Sequence, residues 1–154
     1  MQGALSMFKV VIAEDDLSSV ELLEQVLIEN GYRVCGVART VDYAVELIER
    51  YKPDFAILDL VLSDGRFGTE IGAKMRSGRR PGILYATGYP NDIRFMAAHG
   101  EACIGKPYRA ADILSALQVV NQIMNAGLGP RPYPGGLSVL AHRVDIAENG
   151  ESRG

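Results

Sequence analysis

Little in this chain is in excess, and its shortages exclude several classes. In 154 residues it has two cysteines, two histidines and a formal net charge of −3. Cys35 and Cys103 lie in apolar stretches with no metal-ligand or redox spacing, so they read as reduced core thiols of a cytoplasmic protein. His99 and His142 are isolated and carry no expected metal or catalytic role. The mild acidity argues against non-specific coating of nucleic acid or an anionic membrane. No uncharged apolar run approaches the ~18 residues of a membrane span. The start, Met1 to Phe8, lacks the basic region and apolar stretch of an export signal.

What remains is an ordinary globular composition, 47% hydrophobic and 23% charged. That suits one domain with its own core, perhaps followed by a tail. Short apolar runs alternate with helical periods. Phe8 to Ala13 reads as a strand, and Leu17 to Asn30 as a helix stopped at Asn30-Gly31. Tyr32 to Ala38 is a second strand, followed by a helix capped at Thr40 and running through Arg50. After Pro53, Phe55 to Leu58 is apolar throughout, as in a strand covered on both faces of a parallel sheet. Ser63-Asp64-Gly65 is a turn, and a helix is expected from Gly68 to Arg76 despite Gly72. Gly82 to Ala86 is a fourth strand, Asp92 to Ala98 a weak helix, Ala102 to Ile104 a fifth strand, and Ala110 to Asn125 an amphipathic helix.

Strand and helix thus alternate five times, which implies parallel βαβ units with helices on both faces. The expected fold is α/β: a flavodoxin-like, doubly wound sheet of five parallel strands. Residues 1–6 are an N-terminal extension and 7–126 the domain. The Gly/Pro-rich segment 127–154 is expected to be extended or disordered, with Leu137 to Ala141 an apolar piece that could dock on the domain or on a partner. The basic group Lys74, Arg76, Arg79 and Arg80 reads as a solvated helix end rather than a nucleic-acid patch, because interleaved aromatics are missing.

Ligands of open parallel sheets collect at the carboxyl ends of the strands. Those ends carry Glu14-Asp15-Asp16 after strand one, Asp59 after strand three, Thr87-Gly88 after strand four and Lys106-Pro107 after strand five. Clustered carboxylates repel unless a cation joins them. An all-oxygen set without His or Cys suits a hard ion, Mg²⁺ rather than Zn²⁺. A lysine and a threonine opposite would take phosphoryl oxygens. The inventory describes phosphoryl transfer onto a carboxylate. Asp16 is read as a helix cap rather than a ligand.

These residues, spaced 45, 28 and 19 apart from Glu14 through Asp59 and Thr87 to Lys106, resemble those of the receiver domains of bacterial two-component response regulators. The resemblance spans about residues 7 to 126. It implies strand order 2-1-3-4-5 and Asp59 as acceptor of a phosphoryl group from a sensor histidine kinase. Mg²⁺ would be held by Glu14, Asp15, Asp59 and the backbone carbonyl of Val61. Lys106, in a bond to Pro107 that is commonly cis, would bridge to the phosphoryl group, and Thr87 would transmit the switch. The stretch Tyr85-Ala86-Thr87-Gly88-Tyr89 is similar to the fourth strand of a stand-alone alphaproteobacterial subgroup, which reads Phe-Ala-Thr-Gly-Tyr there.

The expectation is therefore a cytoplasmic single-domain response regulator. It is not an enzyme, and it signals through phosphorylation-dependent protein contacts without direct binding of nucleic acid or membrane. A histidine phosphotransfer protein is a further candidate partner, and the oligomeric state, a homodimer included, is open. Two alternatives stand beside this. One is a receiver-like interaction module that works unphosphorylated. The other is a small Mg²⁺-dependent phosphatase with an aspartyl nucleophile, against which stands the lack of a carboxylate at Val61. Two departures from the family are visible. Cys103 stands where many receivers have a swinging aromatic, leaving Tyr85, Tyr89 or Tyr108 as substitutes. Val61 and Tyr89 occupy positions that often orient the hydrolytic water, so slow self-dephosphorylation is expected.

Overall fold

The computed structural model describes residues 7–75, 80–92, 94, 99–127, 133 and 135–140. Strand β1, Lys9–Ala13, leads through a capped turn to helix α1, Leu17–Glu29. Asp16 caps that helix by accepting the Ser19 amide at 3.2 Å and the Ser19 hydroxyl at 2.8 Å. Gly31 then turns the chain at φ +86°, a conformation that strains other residues. Strand β2, Arg33–Ala38, follows, then helix α2, Val41–Tyr51, capped by Thr40, whose hydroxyl accepts the Tyr43 amide.

Strand β3, Phe55–Leu58, is buried along its whole length, as its unbroken apolar run demands. Helix α3, Thr69–Lys74, is shorter than the expected Gly68–Arg76, with Gly68 as its cap residue and Met75 already extended. Strand β4, Gly82–Thr87, extends one residue beyond the expected end and takes Thr87 into the sheet. Strand β5, Ala102–Gly105, and helix α4, Ala110–Ala126, match their apolar patterns closely. The helix expected over Asp92 to Ala98 falls mostly on 93 and 95–98, outside the described residues. Before it, the Asp92 amide closes a turn onto the Tyr89 carbonyl.

The sheet order is β2-β1-β3-β4-β5, all parallel, with a sixth strand at the edge. This last strand, β6, Leu137–Val139, corrects the expected five-strand sheet. It runs antiparallel to β5, pairing Ile104 with Leu137 and Ala102 with Val139. The Leu140 amide extends the pairing by donating to the Glu101 carbonyl at 3.1 Å. An open β5 edge would expose a row of unpaired backbone groups, and the apolar piece after the Gly/Pro segment covers it. So the segment that the sequence left undecided docks on the domain itself.

Two core layers sandwich the sheet. On one face Val11, Ala56, Leu58, Ile83 and Tyr85 pack with Ala44, Leu47 and Ile48 of α2 and Ile71 of α3. On the other, Val10, Ile12, Ile57, Leu84 and Ile104 pack with Leu23 and Leu27 of α1 and Ile113, Leu117 and Val120 of α4. Alternate residues of each strand serve opposite faces, as the pleat requires. Helices on both faces leave the strand ends free for chemistry.

Candidate functional site

The sheet ladder itself carries the polar residues into place. One residue past β1, the Glu14 amide donates to the Ala38 carbonyl at 2.9 Å, and one past β3, the Asp59 amide donates to Ala13 at 2.9 Å. One past β5, the Lys106 amide donates to the Thr87 carbonyl at 2.8 Å. Each side chain is therefore anchored on a rigid strand end rather than on a free loop.

At that edge Glu14, Asp15 and Asp59 come together, with one carboxylate oxygen from each within 4.8 Å of the others. Lys106 lies among them, its Nζ donating to Glu14 Oε1 and, at 3.3 Å, to Asp59 Oδ2. The Leu60 amide donates to Asp59 Oδ1 at 2.7 Å, so both oxygens of that carboxylate are oriented. Glu14 is nearly sealed from solvent, and its Oε2 accepts the amides of Asp15 and Asp16 at 3.0 and 3.1 Å. The Ser63 hydroxyl donates to Asp15 at 3.3 Å.

The cluster holds three carboxylates against one ammonium, and the surplus of negative charge sets its electrostatics. Burial pushes the Glu14 carboxyl above the ordinary glutamate range, with the Asp59 charge adding to it and Lys106 and the Asp16 amide opposing. Burial also works against the Lys106 ammonium, but Glu14 and Asp59 outweigh it and hold its pKa above the usual lysine value. The Asp59 charge thus acts in the same direction on both groups, toward the protonated form. Three hard oxygen donors so placed fit Mg²⁺, which takes one or two carboxylates and keeps waters for a phosphoryl oxygen. Val61 lies two residues after Asp59, in a bridge with Phe67, with its side chain exposed.

Thr87 stands apart from this network. It is fully buried, and its hydroxyl oxygen accepts the Tyr89 amide at 3.2 Å. Asp16 caps α1 as expected. Of the tyrosines considered as substitutes at the Cys103 position, Tyr85 is fully buried with its hydroxyl donating to the His99 carbonyl at 3.4 Å, and Tyr89 is exposed. Tyr108 lies between these extremes, with its hydroxyl buried and unpartnered. Such a group costs about 1–3 kcal/mol while it stays unpaired. Cys103 packs beside Tyr85, its thiol pushed up to about 12 by burial and by the Asp59 charge.

Local pattern missed three features. A Cβ on Gly68 would come within 1.9 Å of the Asp59 carbonyl oxygen, so the backbone after the cluster closes over a position that only glycine fills. The Arg94 guanidinium stacks on the Phe67 ring at 3.7 Å, joining the loop after Thr87 to the loop after Asp59. Finally, Arg80 is not a solvated helix end. Its guanidinium donates to the fully buried Glu101 at 2.7 Å. The basic run was the only local signal, and nothing near it in sequence points to a carboxylate 21 residues away.

Comparison with known proteins agrees with this fold. The sequence model of the response regulator receiver domain matches residues 10–118. The transcriptional regulatory protein PdtaR of Mycobacterium tuberculosis is 32% identical over 114 residues, covering 72% of this chain and 55% of that protein. The chain thus spans about half the length of the curated relatives it matches. The receiver domain of Erythrobacter litoralis PhyR superposes with a TM-score of 0.69 at 21% identity, covering 84% of this chain and 99% of that one. The Bartonella quintana anti-anti-sigma factor PhyR gives 0.66 at 22%, covering 79% and 51% respectively. At these identities the two structures speak for the fold. Among the described residues no helix is long and apolar enough to cross a membrane.

Proposed function

Because the chain belongs to the response regulator receiver domain family, we propose that Asp59 accepts a phosphoryl group from a sensor histidine kinase. The observation that carries the reading is the cluster itself: Glu14, Asp15 and Asp59 converge within 4.8 Å with Lys106 bonded to two of them. A carboxylate oxygen of Asp59 attacks phosphorus, the bond from phosphorus to the kinase imidazole nitrogen breaks, and the electron pair leaves on that nitrogen. The Leu60 amide and Lys106 hold the Asp59 carboxylate in one orientation for that attack. Lys106 then neutralises charge on the transferred group. Glu14, Asp15, Asp59 and the Val61 carbonyl would hold Mg²⁺, which supplies further charge neutralisation when bound. Thr87, two residues before Tyr89 at the end of β4, turns its hydroxyl from the Tyr89 amide to a phosphoryl oxygen.

The switching unit in this proposal is residues 7–126, with a Gly/Pro-rich tail after it. Output leaves through protein contacts near β4 and β5, where added charge at Asp59 shifts the balance of two surfaces. The free thiols Cys35 and Cys103 accord with a reducing, cytoplasmic setting. Intact-mass measurement after treatment with acetyl phosphate and Mg²⁺ tests the reading. The protein gains one phosphoryl group, and Asp59→Asn gains none. Equal labelling of that variant would reassign the acceptor.

A further inference from the structure

The three carboxylates of the cluster are not held alike. Glu14 gives Oε1 to Lys106 and Oε2 to the amides of Asp15 and Asp16. Asp59 gives Oδ1 to the Leu60 amide and Oδ2 to Lys106. The Asp15 side chain, only half-buried, has one hydrogen bond among the described residues, from the Ser63 hydroxyl to its Oδ2 at 3.3 Å. It nevertheless keeps an oxygen within 4.8 Å of the other two carboxylates. Like charges so close repel, and a half-exposed aspartate is free to relieve that repulsion by turning out to water.

Ser63 is itself firmly placed, although its side chain is exposed. Its amide donates to the Arg39 carbonyl at 2.9 Å, in the loop after β2. The preceding Leu62 is buried, and its backbone closes the turn by accepting the Gly65 amide at 3.0 Å and donating to the Arg66 carbonyl at 3.1 Å. Val61, whose carbonyl belongs to the ligand set given above, pairs with Phe67 in the same turn. One hydroxyl thus ties the loop after β1 to the loop after β3, across 48 residues of chain. It also orients Asp15 without neutralising it. A lysine or arginine in its place would cancel the charge that a divalent ion needs, whereas a hydroxyl leaves Oδ1 and the full negative charge free.

We propose that Ser63 is a positioning residue for the Mg²⁺ site, its hydroxyl holding the Asp15 carboxylate turned toward Glu14 and Asp59 so that the ion meets a preformed set of donors. This inference rests on Glu14, Asp15 and Asp59 being the metal ligands. It adds that Asp15 is the ligand whose orientation depends on a single uncharged side chain.

The test titrates Mg²⁺ alone into the full chain and its Ser63→Ala and Ser63→Thr variants, with affinity read by calorimetry and metal-free stability by urea unfolding in EDTA. Ser63→Ala binds Mg²⁺ about tenfold more weakly. Ser63→Thr, which keeps the hydroxyl, binds as the wild type does. The metal-free urea midpoint of Ser63→Ala stays at the wild-type value, because the lost side chain is exposed. In an Asp15→Asn background, Ser63→Ala brings no further loss of affinity, since its effect passes through Asp15. A merely structural serine would shift the metal-free midpoint and leave the affinity alone. Equal Mg²⁺ affinity of Ser63→Ala and wild type, a Ser63→Thr variant as weak as Ser63→Ala, or a further tenfold loss in the Asp15→Asn background overturns the inference while leaving the metal site in place. Failure of the wild type itself to bind Mg²⁺ overturns the metal site together with it.

Discussion

Two glutamates are buried at opposite ends of the same sheet, and each faces a cation. Glu101, just before β5, takes Arg80 at 2.7 Å and the Ile83 amide at 2.8 Å, while its own carbonyl receives Leu140 beyond β6. Glu14, just after β1, shares Lys106 with Asp59 and has Asp15 beside it. Among the described residues, one carboxylate at the amino end of β5 meets a guanidinium and an amide, and the tail strand closes over them. At the carboxyl ends of β1 and β3, three carboxylates meet one ammonium. The matched end holds the edge of the fold together. The unmatched end is left with a charge surplus that a divalent ion and a phosphoryl group can use.

The comparison breaks first at Arg80. Arg80→Ala strips the guanidinium from a carboxylate that stays buried, which is expected to cost about 3–5 kcal/mol in denaturant unfolding. Phosphoryl uptake by the folded protein should be unchanged. A loss below about 1 kcal/mol, the range of an exposed pair, would erase the difference between the two ends. The opposite end should respond with the opposite sign. Asp59→Asn removes one of three crowded carboxylates and leaves Lys106 to Glu14, so it should raise unfolding stability by about 1 kcal/mol while abolishing phosphorylation. A destabilised Asp59→Asn protein would mean that this end, too, is matched.

The gentlest probe is the exposed pair at the start of α4. The Arg109 amide and guanidinium hold the Asp112 carboxyl below the ordinary aspartate range. Its folded pKa is thus lower than the unfolded value of 3.8. The stability it contributes is complete above that value and is lost as pH falls through the folded one. Asp112→Asn should therefore lower the urea midpoint slightly near neutrality and flatten the acid limb of stability below pH 3.8, so that the two proteins converge there.

Much of the site was legible because carboxyl-end placement follows from strand position alone. The pair Glu14-Asp15, Asp59 and Lys106 each follow directly on a strand, and they meet where that rule puts them. Thr87 was read at the carboxyl end of strand four, and it closes that strand because its backbone carries the pairing on to Gly105 and Lys106. Arg80 was misread because its carboxylate partner is distant in the chain. β6 escaped because three residues after a Gly/Pro stretch carry too short a period to be told from coil, and only the open edge of β5 makes them a strand.

From the sequence alone came the alternation of strand and helix, the buried third strand and the charged residues at the strand ends. Each depends on local periodicity and on the few residues that stop an element. Which charge meets which was decided only by the fold. Lys106 reaches Glu14 across 92 residues, Gly68 closes on the Asp59 carbonyl, and the Tyr108 hydroxyl is shut in without a partner. Such pairings depend on how distant segments share one sheet edge, and no periodicity along the chain encodes a contact made through space.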